Sequence, residues 1–340
     1  MHASNVVWAA LSTLGVTLAG GLTIASASES TSCTPVEYAS LPVTYSSAGY
    51  PEVPVTINGK QVQMLVNTAS ASSVIDVNAY KALGLVATRM PNTVIYVGNE
   101  RVDKYTTVPS LKLGNLGLRG AQFIIEPMTK EVGPDAVGSL GTNVLVSKQV
   151  DLEIDLSHNR INLLVPDRCP SAPIYWADHY SEVPLRVGIL GNYYIVMELN
   201  GKKVEAGLAI SGAQSMLVSN VSKRLYGFDE HSREDTPVHT ADGKVSYFRA
   251  MELTSGGLSV MNANIELLPP VGCAVGDPLS KDQDGAEAFS PQCFGAFPLS
   301  LGMSVLRNLR LYLSPRDQLM YFTAAGATIE GVAAAPAPSH

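Results

Sequence analysis

The strongest constraint on what this chain can fold into is that much of it is written twice. Ile57-Asn58-Gly59-Lys60-Gln61-Val62 returns as Leu199-Asn200-Gly201-Lys202-Lys203-Val204. Leu140-Gly141-Thr142-Asn143-Val144-Leu145 returns as Leu301-Gly302-Met303-Ser304-Val305-Leu306. Asp155-Leu156-Ser157, with apolar Ile161 and Leu163 beyond it, is echoed by Tyr312-Leu313-Ser314 with Leu319 and Tyr321. Three matches in one order, about 140 to 160 residues apart, describe a tandem duplication. The first match also says what each copy contains. Asn-Gly between alternating apolar residues is a tight β-hairpin signal, because both residues tolerate the left-handed backbone that a type I′ turn demands.

Composition agrees with a duplicated β protein. Of the 340 residues, 46% are hydrophobic and only 16% charged, enough for a sizeable core in each copy. The 29 glycines, 21 prolines and 14 tyrosines suit a turn-rich sheet protein better than a helical bundle. Net charge is −7 and no run of Lys or Arg occurs, which argues against a nucleic-acid partner, since that needs a clustered basic face.

The first 27 residues read as an export signal. Val6 to Ile24 is almost wholly apolar or small, and Ala25-Ser26-Ala27 has the small-x-small form of a cleavage site. No Lys or Arg precedes Lys60, so the charged region usual before such a stretch is missing. An uncleaved anchor helix is the alternative. The expectation is a secreted or periplasmic protein, free of the membrane once the signal is removed.

The repeat then sets the layout: residues 28–45 as a leader, 46–166 as the first copy, 167–182 as a linker, 183–325 as the second copy, and an Ala- and Pro-rich tail over 326–340. Four cysteines follow the signal, an even number that favours disulfides in an exported chain. Cys33 and Cys169 flank the first copy, and Cys273 and Cys293 bracket a polar insertion, Ala274 to Gln292, that the first copy lacks and that reads as a long loop with little else to hold it. Those are the expected pairs. None of the four forms a CxxC, no His stands at zinc-ligand spacing from them, and HExxH is absent, so neither a metal nor a cofactor is expected.

Within the first copy, Tyr50 to Ile57, Val62 to Val66, Val94 to Val97 and Gln122 to Ile125 read as strands. Gly98-Asn99 and Asp242-Gly243 mark a second hairpin in each copy. One helix per copy is expected after a polar cap: Asp76 before Val77 to Leu83, and Ser219 before Asn220 to Leu225. Asn220-Val221-Ser222 matches a glycosylation triplet, a pattern common by chance.

Between the hairpin and the helix lies the segment most informative about chemistry. The first copy reads Met64-Leu65-Val66-Asn67-Thr68-Ala69-Ser70-Ala71-Ser72-Ser73-Val74-Ile75, and the second Gly207-Leu208-Ala209-Ile210-Ser211-Gly212-Ala213-Gln214-Ser215-Met216-Leu217. The order of strand, polar loop, small apolar stretch and helix resembles the retropepsin-like aspartic proteases, whose two halves each present Asp-Thr-Gly-Ala on a tight loop. The stretches from Gly133 and from Leu301 resemble that family's second conserved block, and the Gly98-Asn99 and Asp242-Gly243 hairpins fall where it has its flap. The resemblance implies an all-β molecule of two β-barrel lobes, pepsin-like, with a cleft between them.

The catalytic aspartates that the resemblance implies are missing. Asn67 falls on one, with Thr68 kept and Ala69 in place of the glycine. In the second copy, matching Ser211-Gly212-Ala213 to the motif puts Ile210 on the aspartate, whereas an ungapped repeat puts Ala209 there. A carboxamide cannot take the proton that a general base must accept. The expectation is therefore a protein of the aspartic-protease type without its catalysis, binding an extended peptide between the lobes. Two alternatives stand beside it: an active endopeptidase using other acids, such as Asp76 or Asp135, and a structural or assembly protein with a filled cleft. A serine mechanism at Ser70 or Ser72 lacks both the nucleophile elbow and a partner among His158, His179, His231 and His239.

Overall fold

The two Asn-Gly turns fold alike. Asn58 and Gly59 take φ of 49° and 82°, and Asn200 and Gly201 take 46° and 73°, the left-handed pair that a two-residue hairpin turn requires. They join strands Pro51–Ile57 to Lys60–Val66 and Tyr193–Leu199 to Lys202–Leu208, with Ile57 opposite Lys60 and Leu199 opposite Lys202. Alternation sends Val53, Val55 and Ile57, and likewise Ile195, Met197 and Leu199, into the core. The computed structural model describes residues 35–90, 95–97, 100–128, 136–166, 174–188, 191–227, 232–239, 245–269, 279–289 and 297–326.

Around each hairpin grows a ten-stranded sheet, one from each copy. In the first, Lys60–Val66 runs parallel to Ala136–Leu140, which is antiparallel to Ser73–Asp76. In the second, Lys202–Leu208 runs parallel to Leu299–Leu301, which is antiparallel to Ser215–Val218. The chain between the outer strands of each trio must cross over, and the loops Asn67–Ser70 and Ala209–Gly212 are those crossings.

A third sheet joins the copies. Its order is Glu37–Pro42, Arg160–Leu164, Asp151–Asp155, Leu309–Ser314, Leu319–Ala324 and Ser181–Pro184. Ile154 lies opposite Leu311 at its centre, and each half mirrors the other. Pro42 faces Arg160 as Pro184 faces Leu319, and just beyond, the Val43 and Leu185 amides each donate to a turn carbonyl at 2.8 Å, those of Asn159 and Gln318. The repeat thus reaches upstream into Glu37–Pro42, which the sequence layout set apart as leader. Trp176 and Ile174 pack with Tyr312 and Tyr321 in a small core of their own on this sheet. Among the described residues the molecule is built almost wholly of strands, and no helix is long and apolar enough to cross a membrane.

Three expectations need correcting. The helix expected over Val77 to Leu83 is a series of turns, in which Lys60 and Asn58 side chains bind the carbonyls of Ala82 and Leu83. Two i+4 bonds survive there, from the Tyr80 amide to Asp76 O and from the Leu83 amide to Ala79 O at 3.2 Å each, but they do not join into a continuous ladder. In the second copy the helix Ser219–Tyr226 forms, but Val218 is its N-cap residue and Ser219 lies within it. The insertion Ala274 to Gln292 is, in its described part, a hairpin of Leu279–Lys281 and Glu287–Phe289 rather than a free loop. Asp282 makes it turn: its Oδ1 accepts from the amides of Asp284 and Ala286, both at 2.8 Å. Residues 1–27, the four cysteines, Asp135, His231, Gly98, Asn99, Asp242, Gly243 and the tail beyond Gly326 lie outside the described residues. The strands that lead into the two second hairpins are paired, Val97 with Glu100 and His239 with Val245.

Candidate functional site

The two crossing loops are held by equivalent bonds. The Asn67 amide donates to Leu140 O at 2.9 Å, and the Ala209 amide to Leu301 O at 2.8 Å. Ser70 O accepts from the Thr142 amide, and Gly212 O from that of Met303. The Gly141 and Gly302 amides donate to Ser73 Oγ and Ser215 Oγ, each at 2.9 Å. Leu140 and Leu301 are themselves repeat equivalents, so Asn67 corresponds to Ala209, Thr68 to Ile210, Ala69 to Ser211 and Ser70 to Gly212. The ungapped alignment is the structural one. Ile210, fully buried, stands in the place of Thr68 and not opposite Asn67.

The loops touch through Thr68. Its Oγ1 donates to Leu208 O at 2.6 Å and accepts from the Ile210 amide at 3.4 Å. Ile210 has no hydroxyl to return the bond, so the brace is one-sided. A second link was not legible in the sequence: Ser211 Oγ donates to Asn67 Oδ1 at 2.9 Å. The Ala69 amide donates to the same oxygen at 3.2 Å. A backbone N–H can only donate, so this atom is the carboxamide oxygen and not its nitrogen. Asn67 is half-buried, and Ala209 presents a buried methyl group on the other loop. No carboxylate belongs to the pair.

Other acids have local roles. Asp76 Oδ1 accepts from the Asn78 amide at 2.6 Å and Oδ2 from that of Met128 at 3.3 Å, which makes it a cap for the turn that follows. Glu205 stands on the same strand face as Gly207. Burial pushes its carboxyl up to about 7, against the opposing hydrogen bond from Tyr194. Asp155, Ser157 and His158 assemble the residue types of a catalytic triad without its geometry. Ser157 Oγ donates to Asp155 Oδ1 at 2.7 Å, and the His158 Nδ1 that faces Asp155 at 2.8 Å is the same nitrogen that faces the serine. They cap a single helical turn, Leu156–His158. Asn220 and Ser222 of the glycosylation triplet lie in helix Ser219–Tyr226, with Ser222 fully buried. Among the described residues no group of three His, Cys, Asp or Glu could hold a metal.

The surroundings of the two loops differ. In the first lobe a cavity of about 550 Å³ is lined by Met90, Tyr105, Phe123 and Ile124, with Ser72, Gln122 and Asn143 as its polar wall. Asn143 Oδ1 accepts from Ser73 N and Oγ at 2.9 and 2.7 Å, which ties that wall to the loop. In the second lobe Phe297 lies over Gly207, stacked on Tyr194 with ring centroids 5.0 Å apart. A Cβ on Gly207 would meet the Phe297 ring at 2.3 Å, so glycine there is a matter of space. The first lobe has Leu65 at that position.

Compared with known protein families, residues 53–144 match the model described as aspartyl protease. The match runs from the first hairpin through the Asn67 loop to the short helix Thr142–Leu145. None of the curated proteins compared matches the sequence. Among solved structures, the chain is similar to conglutin gamma, a basic 7S globulin from lupine seeds. The identity is 11%, over 87% of this chain and 96% of that chain, with a TM-score of 0.47. The segment that carries Asn67 and its supporting loops is thus similar to the aspartyl protease family, and the same hydrogen-bonded scaffold is repeated around Ala209.

Proposed function

We propose that this chain is a catalytically silent protein of the aspartyl protease type that holds an extended peptide where the Asn67 and Ala209 loops meet. The observation that carries the proposal is the composition of the loop pair. Water attack on a peptide bond by this fold needs one carboxylate as base and a second, protonated, as acid. Here one loop carries a carboxamide whose oxygen is engaged by two donors, and the equivalent position of the other carries a methyl group. Peptide binding is supported by the cavity beside the Asn67 loop, a concave surface of mixed character in which Ser72, Gln122 and Asn143 stand among apolar and aromatic side chains. Main-chain pairing would supply affinity and the cavity would select a side chain.

The purified protein is expected to leave unfolded casein intact between about pH 3 and 6, the range in which a shared-proton dyad works. It is expected to retain peptides from a random library. Cleavage by the unmodified protein that pepstatin blocks would overturn the reading. Asn67→Asp alone is expected to stay inactive. Any recovery needs Asn67→Asp and Ala209→Asp together, with Ala69→Gly and Ser211→Gly to clear the point where the loops approach.

A further inference from the structure

We infer that the Asn67 site meets its ligand as a hydrogen-bond donor, and so takes an intact peptide through a main-chain carbonyl. This rests on the peptide-binding reading above and adds the polarity of the contact. Asn67 Oδ1 accepts from Ala69 N–H at 3.2 Å and from Ser211 O–H at 2.9 Å, which occupies both of its lone pairs. The amide nitrogen, on the other limb of the same planar group, has no acceptor among the described residues. Asn67 is half-buried, so its two N–H groups are left for solvent or a ligand.

A flipped carboxamide would set donor against donor at Ala69, and that backbone N–H cannot turn away. The orientation is therefore fixed from within the loop, and Ser211 secures it from the other lobe. Across the gap, Ala209 offers neither donor nor acceptor, and Thr68 Oγ1 is spent on Leu208 O and the Ile210 amide. The loop pair is thus a site of donors. A carboxylate pair would favour ligands that donate, above all an alcohol in the position of the attacking water. A carboxamide so held favours the neutral acceptor that every intact peptide bond carries. The nearby cavity, with Phe123 and Tyr105 in its wall, suits an aromatic side chain on the same peptide.

The test compares two probes by fluorescence anisotropy at neutral pH. One is a labelled, amidated hexapeptide with two central phenylalanines, and the other is its copy with the central amide replaced by a hydroxyethylene unit. The unmodified protein is expected to bind the amide peptide up to about tenfold tighter, because the carbonyl is the stronger acceptor and the hydroxyl's own proton finds no acceptor in the loop pair. Asn67→Asp keeps the size of the side chain and the bonds to Ala69 and Ser211 but turns its free limb into an acceptor. It is expected to weaken the amide peptide by a similar factor and to reverse the preference. Equal or tighter binding of the hydroxyethylene copy by the unmodified protein would overturn the donor assignment while leaving the peptide-binding reading in place. Binding of neither probe would overturn both.

Discussion

Asp151 illustrates how much a single residue owes to its surroundings. It lies in the central strand pair of the six-stranded sheet, 1% exposed, with Oδ2 accepting from the Tyr312 hydroxyl at 2.9 Å. Burial pushes its carboxyl up to about 6, and the hydrogen bonds from Tyr312 and Ser314 only partly oppose this. A carboxyl raised in the folded state binds its proton more tightly there than in the unfolded chain. Its contribution to stability is then full below the ordinary carboxylate value and is lost as pH rises through about 6. Asp151→Asn removes that loss. The urea stability of the variant, relative to the parent, is expected to improve by about 2 kcal/mol between pH 4 and pH 7.5. A relative stability that stays flat with pH would show that Asp151 titrates normally. Asn67 shows the converse limit on reading residues. Its identity was plain in the sequence, but its bond to Ser211 joins residues 144 positions apart and appears only when the lobes meet.

At the scale of elements, glycines separate space from backbone conformation. Gly141 and Gly302 precede the two short helices with ordinary extended backbone, φ of −90° and −98°. A Cβ on Gly141 would lie 2.5 Å from Ser72 O, and one on Gly302 only 2.0 Å from Gln214 O. Both glycines let the short helix that follows close against the crossing loop. Gly59 has open space around it but a φ of +82°. Gly302→Ala is therefore expected to cost about 3 kcal/mol by overpacking and Gly59→Ala about 1 kcal/mol by backbone strain, read from urea unfolding. Equal losses would mean that Gly302 is not closely packed. The hairpins were legible because an Asn-Gly turn is a local decision. The turns after Asp76 were not, because a polar cap and an apolar run read as a helix, whereas the bonds that hold the end of the segment come from Asn58 and Lys60 of a different element.

The whole molecule is tied together under its shared sheet. Glu153, fully buried on the first copy, is bound by Arg310 of the second, whose Nε lies 2.7 Å away and also 3.2 Å from Asp155. The Arg310 guanidinium lies 4.2 Å from the Trp176 ring centroid, and Tyr175 OH and Asn162 Nδ2 complete the shell of Glu153 at 2.7 and 3.1 Å. Two halves of the duplication and the segment between them thus share one charge network. Arg310→Met leaves a buried carboxylate without its cation and is expected to cost about 3–5 kcal/mol, with most of that recovered in Arg310→Met/Glu153→Gln. Thermal or chemical unfolding of the three proteins checks this, and a silent single variant would show that the network contributes nothing net.

The sequence by itself determined the duplication, the β class, the tight hairpins and the absence of a carboxylate at Asn67, because each is written in local spacing or in the identity of one side chain. It left the second loop ambiguous between Ala209 and Ile210. Only the tertiary structure decided that, since the answer lies in which amide reaches Leu301 O and which reaches Thr68 Oγ1. The six-stranded sheet, the Ser211 contact and the Phe297 cover over Gly207 were likewise beyond the sequence. Each joins residues far apart in the chain, and side-chain reach across a folded interface has no one-dimensional pattern.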